Sequence, residues 1–230
     1  MTRSEVWRLE GAIAHLSLSG LAAAIDLARP GLGLHALQWR GAPLASTQLL
    51  AVRFLGALES EELVIADSFV RGPDLVVTYA QTPARPVRLQ VYWRALEEEF
   101  AGQSAVGVDL QVSVQTNLLA SRPALTMCSR TPCETPWSIE KARDHTVCFR
   151  CVLAGPTYVE IVHPSDVEQE ELSKECDAWV VSHELFASSL EKGVILRARA
   201  RGLFVADATE GSLVSSMCDR FLSAPLPLTT

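Results

Sequence analysis

The stretches PVRLQVYWR at residues 86–94 and VDLQVSVQTN at residues 108–117 decide the fold. In both, apolar and polar side chains alternate with a period of two, which is the pattern of a β-strand with one buried face and one polar face. The stretch VILRARAR at residues 194–201 repeats this design with arginine in the polar positions. The three segments therefore predict strands that each bury one side.

The sequence on either side of these segments predicts more strands, separated by turns that are rich in glycine and proline. We expect further strands at residues 6–18, 22–27, 34–40, 49–55, 63–71, 75–80, 146–153, 158–162, 178–182 and 202–206. So many strands with short connections predict an all-β fold, a large and mostly antiparallel sandwich, in a single domain over residues 1–230.

One or two short helices complete the predicted fold. Ser165 and Glu168 form a capping-box pattern that predicts a helix through Lys174. Residues 183–192, closed by Gly193, form the second candidate helix.

Composition narrows the class of protein. The chain has 230 residues, of which 48% are hydrophobic and 20% charged, which is typical of a globular domain. Its net charge of −7 argues against a nucleic-acid partner, since phosphate backbones are bound by clustered cations. The opening residues lack the apolar core of a signal peptide, and no apolar run reaches the length of a membrane span. We therefore expect a cytoplasmic protein with reduced cysteines and no membrane partner.

The polar strand faces are the candidate ligand-binding surface. Side chains two apart on a strand lie on one side, so each of the three alternating segments presents a row of polar groups. Amides both donate and accept hydrogen bonds, as sugar hydroxyls do, and arginines suit an anionic sugar or a sugar phosphate. A solvated, salt-bridged sheet face is the alternative interpretation of the same rows. With Trp137 as a stacking aromatic or a core residue, the candidate binding residues are Gln90, Tyr92, Arg94, Gln111, Gln115, Arg197, Arg199 and Trp137.

Catalytic and metal-binding signals are weaker. His145 and His163 lie beside aspartates near predicted strand ends and are candidate general acids or bases. The pairs Cys128/Cys133 and Cys148/Cys151 have a spacing seen in zinc sites, but Cys148 and Cys151 lie three apart on a predicted strand and so face opposite sides. No phosphate-binding loop, dinucleotide fingerprint or serine-nucleophile elbow occurs. We expect no metal and no cofactor.

Two stretches resemble galactose-mutarotase-like domains. The residues that carry the resemblance are Ala23-Ala24-Ile25-Asp26-Leu27, Pro30-Gly31-Leu32-Gly33 and Leu37-Gln38-Trp39-Arg40-Gly41, followed late in the chain by Glu191-Lys192-Gly193-Val194-Ile195. The resemblance covers about a fifth of the chain and implies a β-supersandwich that binds a carbohydrate on a concave sheet. Mutarotases use two catalytic histidines, yet no histidine lies between His35 and His145, so no catalytic residue carries over.

These observations lead to three functional hypotheses. The first is a carbohydrate-binding domain of mutarotase-like type, and the second is a sugar or sugar-phosphate epimerase that uses His145 or His163 with a carboxylate. The third is a sandwich that binds another protein through its polar rows. The sequence leaves open the ligand, the catalysis and the oligomeric state.

Overall fold

The computed structural model describes residues 5–141, 146–206 and 211–225. Nearly all of the regular structure is strand. The first ten strands are β1 (Trp7–Glu10), β2 (Ile13–Leu18), β3 (Leu21–Asp26), β4 (His35–Trp39), β5 (Ala42–Pro43), β6 (Gln48–Phe54), β7 (Ile65–Arg71), β8 (Asp74–Tyr79), β9 (Arg88–Phe100) and β10 (Gln103–Gln115). The others are β11 (Ala120–Ser121), β12 (Leu125–Pro132), β13 (Trp137–Lys141), β14 (Val147–Val152), β15 (Thr157–Val162), β16 (Gln169–Glu175), β17 (Ala178–Leu185), β18 (Leu190–Glu191) and β19 (Ile195–Val205). A 3-10 turn spans Pro30–Leu32, and one α-helix, α1, spans Gly211–Ser223.

The strands form two layers, as expected of an antiparallel sandwich. One layer is an eight-stranded sheet in the order β13-β14-β15-β19-β10-β9-β8-β7. The other is built from a four-stranded sheet, β16-β17-β12-β6, and a five-stranded sheet, β1-β2-β3-β4-β5, which a bridge between Leu34 and Leu49 joins. β11 and β18 form a separate two-stranded ribbon. The large core that includes Trp93, Val112 and Met127 lies between the layers.

The three alternating segments lie in neighbouring strands at the centre of the large sheet. β9 and β10 form a hairpin of thirteen-residue strands, and β19 pairs with the other edge of β10. Ala101 and Gly102 both have positive φ in the two-residue turn, which is the geometry that matches the twist of a hairpin. The apolar rows of these strands, such as Leu89, Val91 and Trp93, face the other layer.

Both predicted helices are wrong. Residues 169–175 form β16 on the edge of the four-stranded sheet, and residues 183–185 end β17, which pairs with it. The Ser165 hydroxyl hydrogen-bonds the side chains of His163 and Asp166, so it does not cap a helix. Charged side chains suit an exposed edge strand, and sheet pairing overrides their helical preference.

The single described helix, α1, was not predicted. Its apolar residues Leu213, Val214, Met217, Cys218 and Phe221 recur at helical spacing and pack on the outer face of the large sheet. They form a second, smaller core against residues of β10, β14, β15 and β19.

The described cysteines include one pair in contact. The sulfurs of Cys148, on β14, and Cys218, on α1, lie at bonding distance, which differs from the expectation that all cysteines are separate thiols. The reason is that Cys148 faces the helix, whereas Cys151 faces the core between the layers, as the strand period predicts. Among the described residues, no three or more histidine, cysteine, aspartate or glutamate side chains are arranged so that they could hold a metal ion. None of the described helices is long and apolar enough to span a membrane.

Candidate functional site

The predicted polar rows meet on the outer face of the large sheet. Antiparallel register places Gln111 between Tyr92 of β9 and Arg199 of β19. Two residues along β10, Ser113 lies between Gln90 and Arg197 in the same way. We call this surface the arginine face, and its residues are Asp74, Gln90, Tyr92, Arg94, Asp109, Gln111, Ser113, Arg197, Arg199 and Arg201. Gln115 lies at its end, opposite Arg88 and Ile195.

Most arginines on this face already have carboxylate partners. Arg94 Nε donates to Asp74 Oδ1 at 2.8 Å, and Arg201 Nε donates to Asp109 Oδ1 at 2.6 Å. The Arg199 guanidinium lies 3.6 Å from Asp166. Burial and the negative charge of the adjacent Asp74 raise the pKa of Tyr92. This is the salt-bridged arrangement that the alternative interpretation of the sequence describes.

The arginine face is also covered at one side by α1. The guanidinium carbon of Arg201 lies 5.4 Å from the ring centroid of Phe221, which belongs to the helix. The cavity that remains beside Gln111, Arg199 and Phe221 has a volume of about 20 Å³. That space holds about one water molecule, so the described structure leaves no room here for a sugar ring.

The remaining predicted residues lie elsewhere. Trp137 begins β13, is 7% exposed, and donates its indole N–H to Thr131 Oγ1 at 2.9 Å, so it is a core residue and not a stacking platform for a sugar. His163 follows β15, with Nδ1 2.8 Å from Ser165 Oγ, and burial followed by the nearby Arg199 lowers its pKa. His145 lies outside the described residues.

A larger concave surface lies on the opposite layer, over the outer face of the four-stranded sheet. Two adjoining cavities of about 230 and 590 Å³ share Gln48, Glu59 and Arg130 in their walls. The second cavity lies within the range of about 300–1,000 Å³ that is typical of small-molecule sites, and the first adjoins it. We call the first cavity and this shared wall the groove, whose floor and walls include Gln48, Ala51, Arg53, Glu59, Cys128, Arg130, Glu175 and Val180.

A bulge in β6 puts the groove residues on one face. Between two successive pairings with β12, β6 advances three residues and β12 only two, and Leu50 of β6 has a φ of +55°. Bulges of this kind re-aim side chains. As a result, Gln48 lies on the groove side with Ala51 and Arg53, although Leu49 and Leu50 both lie in the core.

The groove has charges of both signs within short distances. Arg130 lies 3.3 Å from Glu175, 3.4 Å from Asp177 and 3.9 Å from Glu59, and Arg53 lies 3.4 Å from Glu59. These side chains are all partly exposed, so they remain available to a ligand. Two guanidiniums facing three carboxylates make a wall on which donors and acceptors alternate.

A close backbone approach closes the groove at Gly31. A Cβ atom at this position would lie 2.7 Å from the carbonyl oxygen of Glu59. Any side chain would therefore push away the loop that carries Glu59, and glycine is the residue that lets this carboxylate reach Arg53 and Arg130.

The thiol in the groove floor is not activated. Arg53 Nη2 lies 3.3 Å from Cys128 Sγ, and its charge favours the thiolate. Burial is the larger effect and raises the pKa of Cys128. The residue therefore supplies a neutral, apolar floor and not a nucleophile.

A buried polar network lies directly behind the groove. Glu160 of the large sheet accepts hydrogen bonds from the hydroxyls of Ser129 and Tyr158, the latter at 2.8 Å. Its other oxygen lies 2.9 Å from Nε2 of His183, whose Nδ1 lies 3.2 Å from Glu170. Burial lowers the pKa of His183, but the two carboxylates outweigh it and raise that pKa overall. The network ties the groove strands β12 and β17 to the opposite layer.

Sequence reasoning missed the groove because its residues come from four unlike segments. Arg53 lies in a strand whose alternation a bulge interrupts, and Arg130 lies in a strand that was not predicted. Glu59 lies in a loop, and Glu175 directly follows the segment that was predicted as a helix through Lys174. The only signal available was the glycine pair Gly31 and Gly33 beside β6.

Comparison with known proteins adds no assignment. No protein-family model matches the chain. No curated protein matches it either.

Proposed function

We propose that this protein binds a carbohydrate in the groove over the four-stranded sheet. The single observation that carries the proposal is the concave wall in which Arg53 and Arg130 alternate with Glu59 and Glu175 in front of an open cavity. The resemblance to mutarotase-like domains supports the same ligand class. The site therefore differs from the arginine face that the sequence alone suggested.

The groove chemistry favours a neutral sugar. A sugar hydroxyl can donate one hydrogen bond and accept up to two, so it can bridge a guanidinium and a carboxylate that lie 3 to 4 Å apart, as Arg130 and Glu175 do. A phosphate or uronate would meet Glu59, Glu175 and Asp177 as like charges. Cys128 and Val180 offer an apolar floor for the C–H face of the ring.

The test is a calorimetric titration with neutral hexoses, hexosamines, hexose phosphates and short oligosaccharides. We expect a neutral sugar to bind and Arg130→Ala to weaken it by about 1.5–3 kcal/mol, the value of a charged hydrogen bond. The matched control is Arg94→Ala on the arginine face, which should leave the affinity unchanged. Absence of binding across the panel, or loss of affinity only in the control, would reject the groove.

A second candidate is epimerase chemistry at His163. The observation in its favour is that His163 is held by Ser165 Oγ, which in turn lies 2.5 Å from Asp166, and that its lowered pKa keeps the imidazole neutral near pH 7. A neutral imidazole oriented by a hydroxyl and a carboxylate is suited to accept a proton. A bell-shaped pH–rate profile that His163→Ala abolishes would support it, and equal rates in both proteins would end it.

A further inference from the structure

One end of the molecule is built from two short segments that lie side by side. Gln115 pairs with Ile195 at the end of the large sheet, and Ala120 pairs with Glu191 in the ribbon of β11 and β18. Residues 116–119 therefore run from the end of the large sheet to the ribbon, and residues 192–194 run back from the ribbon to the sheet. We call this end the tip, and it comprises residues 115–122 and 190–197 together with Arg88, which pairs with Gln115.

The tip exposes a cluster of apolar side chains. Leu119 is 87% exposed, Ile195 49%, Leu118 46% and Val194 42%. Single exposed apolar residues are ordinary, but four on two adjoining segments form a patch of the kind that marks an interaction surface. None of the four lines any of the cavities described above, so the patch projects outward instead of forming a pocket.

Cations without partners surround the apolar cluster. Arg88, Arg122, Lys192 and Arg197 are exposed, and within the described residues none of them forms an ion pair, in contrast to the arginines of the groove. The one carboxylate within these ranges of the tip is Glu191. The tip is therefore positive, although the chain as a whole has a net charge of −7.

We propose that the tip docks this protein onto an anionic lipid surface. Apolar side chains at the end of a wedge can enter the boundary between headgroups and acyl chains, while the flanking cations contact anionic headgroups. A fluid lipid surface accommodates such a projecting wedge, whereas a folded acidic protein would need a matching recess. This departs from the sequence-based expectation of no membrane partner, which rested on the lack of a signal peptide and of an apolar run long enough to span a membrane.

The experiment is cosedimentation of the purified chain with vesicles of phosphatidylcholine alone or with added phosphatidylglycerol. We expect binding only when the anionic lipid is present, and weakening of that binding at high salt. The double substitution Leu118→Ser with Leu119→Ser should lower partitioning about tenfold or more because the inserted apolar carbons are lost. Arg122→Gln and Lys192→Gln should each lower it about fivefold.

Matched controls have the same chemistry elsewhere on the surface. Val152→Ser removes another exposed apolar residue, 64% exposed, at the opposite end of the large sheet, and Arg71→Gln removes an exposed arginine from the end of β7. Both should bind vesicles like the unmodified protein. Three results overturn the proposal: equal binding to neutral vesicles, tip variants that bind like the controls, or binding to soluble poly-glutamate without binding to vesicles. The last would indicate an acidic polypeptide as the partner.

Discussion

The arginine face and the groove contain the same kinds of side chain but differ in what surrounds them. On the arginine face, Arg201 is 2% exposed and lies against Asp109, a carboxylate on the neighbouring strand. In the groove, Arg130 is partly exposed and shares carboxylates that come from a loop and an edge strand, with an open cavity in front. Arginine–carboxylate pairs are thus buried within the sheet in one place and line an open cavity in the other, where we propose that the ligand binds.

The largest expected effect concerns the network that anchors the groove to the opposite layer. His183→Ala leaves Glu160 buried without its cation, and breaking a buried pair in this way costs about 3–5 kcal/mol of unfolding free energy. Denaturant titration measures it. The control is His163→Ala, whose imidazole is partly exposed and should cost less than about 1 kcal/mol. Equal losses in the two variants would mean that the network does not anchor the groove.

Substitutions on the arginine face should change the free energy of unfolding and leave the sugar affinity unchanged. Arg201→Met removes both hydrogen bonds to Asp109 and leaves that carboxylate mostly covered, so we expect a loss of about 3 kcal/mol. Sugar affinity, measured by calorimetry on the folded variant, should stay unchanged. A stable variant with weakened binding would reverse the roles assigned to the two surfaces.

The anchor should also make stability depend on pH. Because the folded pKa of His183 is raised, its contribution is complete below the unfolded value of about 6.5 and is lost as the pH rises through the folded pKa. The difference in unfolding free energy between the unmodified protein and His183→Gln should therefore shrink by about 1.4 kcal/mol per pH unit across that window. A difference that stays constant, or grows with pH, would contradict a charged His183.

The smallest expected effect tests the charge balance of the groove. Glu59→Gln releases Arg53 and Arg130 from a shared carboxylate, so the wall loses its net negative charge. We expect the affinity for a hexose phosphate to rise by up to about fivefold, the value of a partly exposed ion pair. Calorimetry with glucose 6-phosphate measures the change, and Glu98→Gln, beside the arginine face, is the matched control. A gain in both variants would point to net charge alone.

Local pattern predicted the large sheet well and the groove poorly. Alternation at residues 86–94, 108–117 and 194–201 depends on the strand period, which is local, and the structure places the three polar rows side by side as expected. Alternation cannot show whether a face is flat or concave, nor that Asp74 and Asp109 neutralise its arginines, because both depend on how distant strands pair.

Position within the sheet also explains the errors in secondary structure. Residues 169–175, QEELSKE, have the composition of a helix, but β17 provides an open edge with which they pair. The strand at Leu125–Pro132, which carries Cys128 and Arg130, was not predicted because its buried positions include the polar residues Ser129 and Thr131, which interrupt the apolar alternation. The apolar spacing at Leu213, Met217 and Phe221 would have predicted α1.

Hydrogen–deuterium exchange with and without the tightest sugar of the panel tests the choice between the two surfaces most directly. We predict added protection of amides in residues 48–54 and 125–132, which form the groove floor, and no change in residues 88–94 and 109–115. Protection confined to the second pair of segments would place the ligand on the arginine face and contradict the account.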